Sequence, residues 1–278
     1  MSATTDDQGP DDGNEGHGPE VLYEVADHVA TVTLNRPHRR NAISVRMLQL
    51  LAEHLTTADE DDAVRVVLLT GAGKGFCAGL DMKDAVAGTG VGAGGGGGTF
   101  PHTRTLPTVV LQEMDTPVIG VINGAAAGYG FDLALGCDMR LIAESAAMLP
   151  AFAKRAIVPE SGGTWYLPRL VGWAKAAELC FLGRDVPAAE AERIGLVNRA
   201  VPDAELMAVA HEWAAEIAAN APLAVRAMKR LFRHGMTEDF ASHTHHVLLQ
   251  TLQLFGSKDF EEGMRSFVER RPPEYRGR

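Results

Sequence analysis

Residues 117–138 read PVIGVINGAAAGYGFDLALGCD, and the order of their parts decides the fold. PVIGVI at 117–122 is a short apolar run with the look of a buried strand. A stretch of small residues follows, then a helical pattern over 128–136. The same succession occurs upstream, where VRVVLLT at 64–70 leads into TGAGKGFCAGLDM at 70–82. A third apolar run, DMRLIAE, occupies 138–144. Strands alternating with helices predict an α/β core. Ligands of such folds bind at the C-terminal ends of strands. Small residues let a backbone approach a ligand closely, and helix N-termini leave N–H groups unpaired there. Two such junctions side by side would each lend one backbone donor to a single carbonyl oxygen, forming an oxyanion hole.

Working outward, residues 21–25 and 29–35 are β-rich and split by Asp27-His28, which predicts a hairpin. Ser44 can cap a helix over 45–58, where Val45, Leu48, Leu51, Ala52 and Leu55 recur at helical spacing. Further helical patterns cover 103–114, 173–182, 187–194, 203–219, 222–234, 237–255 and 258–270. The chain therefore divides into a core over 21–200 and a helical C-terminal region over 201–278. Residues 1–20 hold six acids and no Lys or Arg, the composition of a disordered acidic tail. Residues 88–98, GTGVGAGGGGG, contain eight glycines and suit a surface loop far better than a phosphate cradle.

Composition excludes several classes. With 278 residues, 46% hydrophobic and 22% charged, the chain has a globular make-up. No apolar run reaches the ~18 residues of a membrane span. A net charge of −10 speaks against nucleic acid. The N-terminus shows no secretory pattern, and three scattered cysteines (Cys77, Cys137, Cys180) fit a reducing, cytoplasmic setting. GAGKGF at 71–76 satisfies neither the P-loop nor the dinucleotide fingerprint, and no nucleophile elbow is present. His243, His245 and His246 cluster, but no carboxylate or cysteine stands at ligand spacing beside them; a solvated helix face is the better reading, a metal site is a distant second, and no metal is assigned.

Five blocks in order, LNRPHRRNAI (34–43), GKGFCAGLDM (73–82), INGAAAGYGFDLALGCD (122–138), IVPESGGTWYLPRLVG (157–172) and AERIGLVNRAVP (191–202), resemble the crotonase superfamily, the enoyl-CoA hydratases and isomerases. The resemblance runs from about Val21 to the C-terminus. It implies an α/β fold of repeated ββα turns, with a helical C-terminal region that assembles trimers or hexamers. It implies an acyl-CoA thioester substrate and no cofactor beyond the CoA that the substrate carries. The thioester oxygen would accept from the backbone N–H groups of Ala78 and Tyr129. The CoA would follow His38, Arg39 and Arg40, then Ala78, Gly79, Leu80 and Asp81. Phe267 and Arg270 would lie near its nucleotide, in some members from a neighbouring subunit. For Arg39 and Arg40 an ordinary solvated surface is an equal reading.

The reaction depends on which carboxylates are present. Hydration in this family uses two glutamates around one water, and they would fall at Asp132 and Phe152. A phenylalanine can neither hold water nor move protons, so the hydratase pair is broken. Glu160 falls where one isomerase branch keeps a single acid/base that moves a proton from C2 to C4. Phe152 and Trp165 could desolvate it and raise its pKa. The plainer reading of Glu160 is a helix N-terminal acid. Asp132 is either catalytic or only polarises the pocket. Cys77 and Cys137 suit small packing residues. Isomerisation through Glu160 is the favoured reading, hydration with Asp132 as a surviving acid/base is its close rival, and a catalytically silent acyl-CoA binder is the rival from another class.

Overall fold

A computed structural model describes residues 18–87, 91 and 106–278. The glycine run at 88–98, Val91 excepted, and residues 1–17 of the acidic segment lie outside them. Strands β1 (Val21–Ala26) and β2 (Val29–Leu34) form the expected hairpin. Asp27 and His28 at its tip have φ of 49° and 68°, the left-handed pair that a type I′ turn requires. Helix α1 (Val45–Glu60) starts where Ser44 Oγ accepts the Met47 N–H at 2.9 Å. It buries Met47, Leu48, Leu51 and Leu55.

Each following turn of the chain adds a long strand, a short strand and a helix. The first is β3 (Val66–Gly71), β4 (Gly75–Cys77) and α2 (Met82–Ala87). Helix α3 (Pro107–Glu113) leads into the second: β5 (Val118–Ile122), β6 (Ala125–Ala127) and α4 (Tyr129–Gly136). The third is β7 (Met139–Ala143), β8 (Ala147–Leu149) and α5 (Gly163–Val171). Then come α6 (Trp173–Leu182), β9 (Val186–Pro187), α7 (Ala188–Arg193) and β10 (Arg199–Val201). The long strands, with the three-residue β10 at one edge, form one sheet in the order β1-β2-β3-β5-β7-β10, parallel from β2 onward. The short ones form a second, β4-β6-β8-β9, in which only β9 is antiparallel. Every residue of β3 and β5 is buried, which is why both read as unbroken apolar runs rather than alternating ones. Helices α8 (Leu206–Ala218), α9 (Pro222–Gly235), α10 (Phe240–Phe255) and α11 (Lys258–Glu269) complete the chain. No helix among the described residues is long and apolar enough to cross a membrane.

The structure corrects one boundary. Glu20, read as the end of the acidic tail, is only 2% exposed. Its carboxylate lies 2.9 Å from Arg36 Nε and accepts from Ser44 Oγ. Arg36 also reaches Asp81 Oδ2 at 3.3 Å and the Ala42 carbonyl at 2.6 Å. Composition could not separate this buried acid from the other acids of the segment, because its partner lies beyond the first hairpin. Glu20→Ala leaves Arg36 with Asp81, so the expected loss is about 1–2 kcal/mol, less than for a fully stranded buried ion. Urea unfolding of the variant checks it.

Candidate active site

The two small-residue junctions meet. Strands β4 and β6 pair in parallel, Gly75 opposite Ala125 and Cys77 opposite Ala126. Just past β4, Gly79 has φ of 89° and presses on the start of α4. A Cβ at this position would stand 2.8 Å from the Ala127 carbonyl oxygen and 3.4 Å from the Tyr129 nitrogen. On the other side, the Ile43 N–H donates to the Gly79 carbonyl at 2.8 Å, and the Asp81 N–H donates to the Ile43 carbonyl at 3.2 Å. This parallel bridge uses the groups flanking Leu80, so the N–H of Leu80 itself faces away from Ile43. It meets no acceptor among the described residues. Neither does the N–H of Tyr129, which as the first residue of α4 has no intrahelical acceptor.

The Ala78 amide, expected as the first of two donors, does not have that freedom. It donates to the Arg40 carbonyl at 3.1 Å. In an unbroken extended segment the Ala78 and Leu80 amides would face the same side. The positive φ of Gly79 breaks that alternation, so the Ala78 and Asp81 amides both pair with the Arg40–Ile43 segment and the Leu80 amide between them is left open. The pairing of this segment with Arg40 and Ile43 had no local signal in the sequence.

The two candidate carboxylates are neighbours. Asp132 is fully buried in the first turn of α4. Its Oδ2 accepts the Ser161 N–H at 2.9 Å, which ties it to the turn that carries Glu160. Its Oδ1 accepts no well-formed hydrogen bond, although the Gly163 amide stabilises its charge in part. A Cβ at Gly163 would fall 2.1 Å from this oxygen, so the side chain is enclosed by backbone on that side. Burial, reinforced by the Glu160 charge and opposed by the Ser161 and Gly163 amides, pushes the Asp132 carboxyl up to about 7. Glu160 occupies the turn before α5, not its first turn, and is reached by solvent. Its carboxyl also titrates above the usual range, chiefly through burial.

The raised Asp132 pKa makes stability depend on pH. Between the ordinary carboxylate value and about 7, the folded state keeps a proton that the unfolded chain releases. Stability therefore falls across that window and stays low above it. Asp132→Asn, which cannot ionise, is expected to melt at a higher temperature than the parent at pH 8, by the equivalent of a few kcal/mol, and near the parent at pH 4. Melting curves at the two pH values check this.

The remaining candidates divide. Phe152 is buried edge-on against Phe131, ring centroids 6.1 Å apart. Trp165 packs against Tyr166 and under the Arg169 guanidinium, 4.1 Å from its centroid. Asp81, expected along the CoA, is 6% exposed and faces inward: its carboxylate meets Arg36 at 3.3 Å, Arg39 at 3.8 Å and the Lys83 N–H at 3.1 Å. Its side chain holds the junction in place. His38 and Arg39 lie in a 3-10 turn that ends at Arg40, in the left-handed region with φ of 53°. Helix α11, which carries Phe267, packs on α10, and Arg270 caps its end. Phe267 is 81% exposed there. Cys77 and Cys137 are buried, and burial pushes both thiols up to about 12, as inert packing groups require.

A sequence model described as enoyl-CoA hydratase/isomerase matches residues 24–278. Among curated proteins, the Bacillus subtilis enoyl-CoA hydratase/isomerase YngF is 38% identical over 262 residues, covering 94% of this chain and 99% of its own. The 1,2-epoxyphenylacetyl-CoA isomerase of Escherichia coli is 36% identical over 260 residues, covering 93% and 98%. Among solved structures, an enoyl-CoA hydratase from Mycobacterium tuberculosis H37Rv superposes with a TM-score of 0.86 at 32% identity, over 94% of this chain and all of its own. One from Bacillus anthracis gives 0.85 at 36%, over 93% and 100%.

Proposed function

We infer that this chain, which belongs to the enoyl-CoA hydratase/isomerase family, moves the double bond of a 3-enoyl-CoA to the 2-position. The observation that carries this reading is Phe152. It occupies the place of the second water-holding acid with a buried phenyl ring, and leaves Glu160 beside Asp132 as the acidic centre. The thioester oxygen accepts from the Leu80 and Tyr129 amides, which lowers the pKa of the C2 protons. Glu160 removes one of them and returns it at C4 of the resulting dienolate, so the proton balance closes on a single group. Asp132, pushed up to about 7, carries its proton for much of the time near neutrality. That spares Glu160 a like charge at close range while Glu160 is ionised as the base. Two adjacent carboxylates thereby divide the work by environment.

Assembly into a homo-oligomer belongs to the same reading. Helix α10 buries none of its side chains within the chain, yet carries Phe240, Leu248, Leu249, Leu252 and Phe255 exposed. Such a face is a subunit surface. In such an assembly Phe267, 81% exposed on α11, and Arg270 at its end would be open to the CoA of a neighbouring subunit. The function is tested by offering 3-enoyl-CoA and 2-enoyl-CoA of one chain length and resolving products by mass. Conversion of the 3-enoyl ester without mass change supports isomerisation. A 2-enoyl ester that gains one water, through a centre that needs Asp132 and not Glu160, replaces it with hydration. Binding of both esters without turnover leaves a silent acyl-CoA binder.

A further inference from the structure

Four side chains converge where α9 turns into α10, outside the site described above. His234 lies in the last turn of α9, Glu238 in the connection, and His243 and His246 one turn apart on α10. All three rings present Nδ1 to the one carboxylate. His234 stands 3.3 Å from Oε1, His246 3.0 Å from Oε1, and His243 3.5 Å from Oε2. The ligand atoms of His234, Glu238 and His246 all lie within 4.8 Å of one another. Donors on a tetrahedral ion with bonds of about 2.0–2.1 Å stand roughly 3.3 Å apart, and the three contacts bracket that spacing.

The His246 ring bonds Glu238 at 3.0 Å, and the Nδ1 of His243, shut off from solvent, faces Glu238 Oε2 at 3.5 Å, so one carboxylate gathers all three rings. The cluster is also held by the backbone. The Thr237 and Glu238 amides both donate to the His234 carbonyl at 3.1 Å. Asp239 caps α10, accepting the Ala241 and Ser242 amides at 3.0 and 3.1 Å. The ligand groups are thus positioned by the turn itself.

The geometry points to a divalent metal site at this turn, in which His234, Glu238 and His246 hold one zinc-class ion per chain, with His243 packed beside them against Glu238 Oε2. Two imidazoles and a carboxylate favour zinc or a neighbouring late first-row metal over magnesium or calcium. The ion would clamp the end of α9 to the start of α10 and supply no chemistry to the acyl-CoA site. This departs from the solvated helix face expected for the histidine cluster. Glu238 lies five residues before His243, a spacing that no continuous helix brings to one face, and only the turn folds it back.

The test uses the full chain without an affinity tag, stripped of metal and titrated with zinc chloride in a calorimeter. One ion per chain is expected, with a rise in melting temperature of about 5 °C at saturation. His246→Ala and Glu238→Gln are each expected to weaken binding by at least about a hundredfold, since even outer-shell losses cost 10–100-fold. Both should leave acyl-CoA turnover unchanged. Glu238→Gln keeps the shape of the side chain, so it serves if His246→Ala fails to fold. No saturable binding, fewer than one ion per chain, or equal affinity in Glu238→Gln and the parent would overturn the proposal.

Discussion

Glu160→Gln is expected to slow conversion of a 3-enoyl-CoA by roughly 10²–10⁴-fold, the range for a lost general acid/base. Gln keeps the length and polarity of the side chain but cannot accept a proton from C2. The fall should appear in kcat, with KM little changed, because binding rests on the thioester oxygen and the CoA. The variant should also fold as the parent does, since no other side chain hydrogen-bonds to Glu160 in the described residues. The raised carboxyl predicts a further mark. In the parent, the acidic limb of the rate–pH profile reports ionisation of the base and should lie above the usual carboxylate range. That limb should vanish in Glu160→Gln. A variant that retains near-parental turnover removes Glu160 from the mechanism.

The second large effect is expected at Gly79. Gly79→Ala adds a methyl group 2.8 Å from the Ala127 carbonyl oxygen, at a φ of 89° that L-residues avoid. The clash is with backbone, so it can be relieved only by moving the turn that aims the Leu80 amide. Misplacing one oxyanion donor costs about 10²–10³ in kcat. The strain itself should cost about 1–3 kcal/mol of stability, less than the roughly 5–15 kcal/mol that holds a typical domain folded. The informative result is the pairing of a lost rate with a retained fold and retained CoA-ester binding. Intact turnover in a folded Gly79→Ala would place the oxygen-binding amides elsewhere.

How much of this was legible depended on whether the signal was local. Asp27-His28, the apolar runs of β3, β5 and β7, and the helices from α6 onward carry their structure in neighbouring residues, and they fall within a few positions of their expected ends. Strands β4, β6, β8 and β9 do not. Runs of two or three residues (GFC, AAA, AML and VP) have no periodicity, and their pairing exists only because successive turns of the chain stack. Helix α5 was hidden likewise behind Gly162-Gly163. At the site, the junctions and the acids could be found by type and order. The amide that is free could not, since it depends on which side of residues 78–80 faces Arg40 and Ile43. Asp81 and Glu20 belong to the same class: each looks like a soluble acid until Arg36 arrives from a distant segment.

The stacking of the large sheet also governs the order in which the protein can be made. From β2 onward, each strand pairs with one that leaves the ribosome later: Val29 with Val66, Val67 with Val118, Ile119 with Met139, and Leu141 with Arg199. Growth therefore proceeds in one direction, and each completed turn is the template for the next. At every stage the newest long strand is an open edge, and β7 waits longest, through all of α5, α6 and α7, before β10 covers it. Leu141, Ile142 and Ala143 would be the sticky face of a half-made chain. Stalled synthesis between β7 and β10 is thus the point at which nascent chains should most readily cross-pair and require a chaperone.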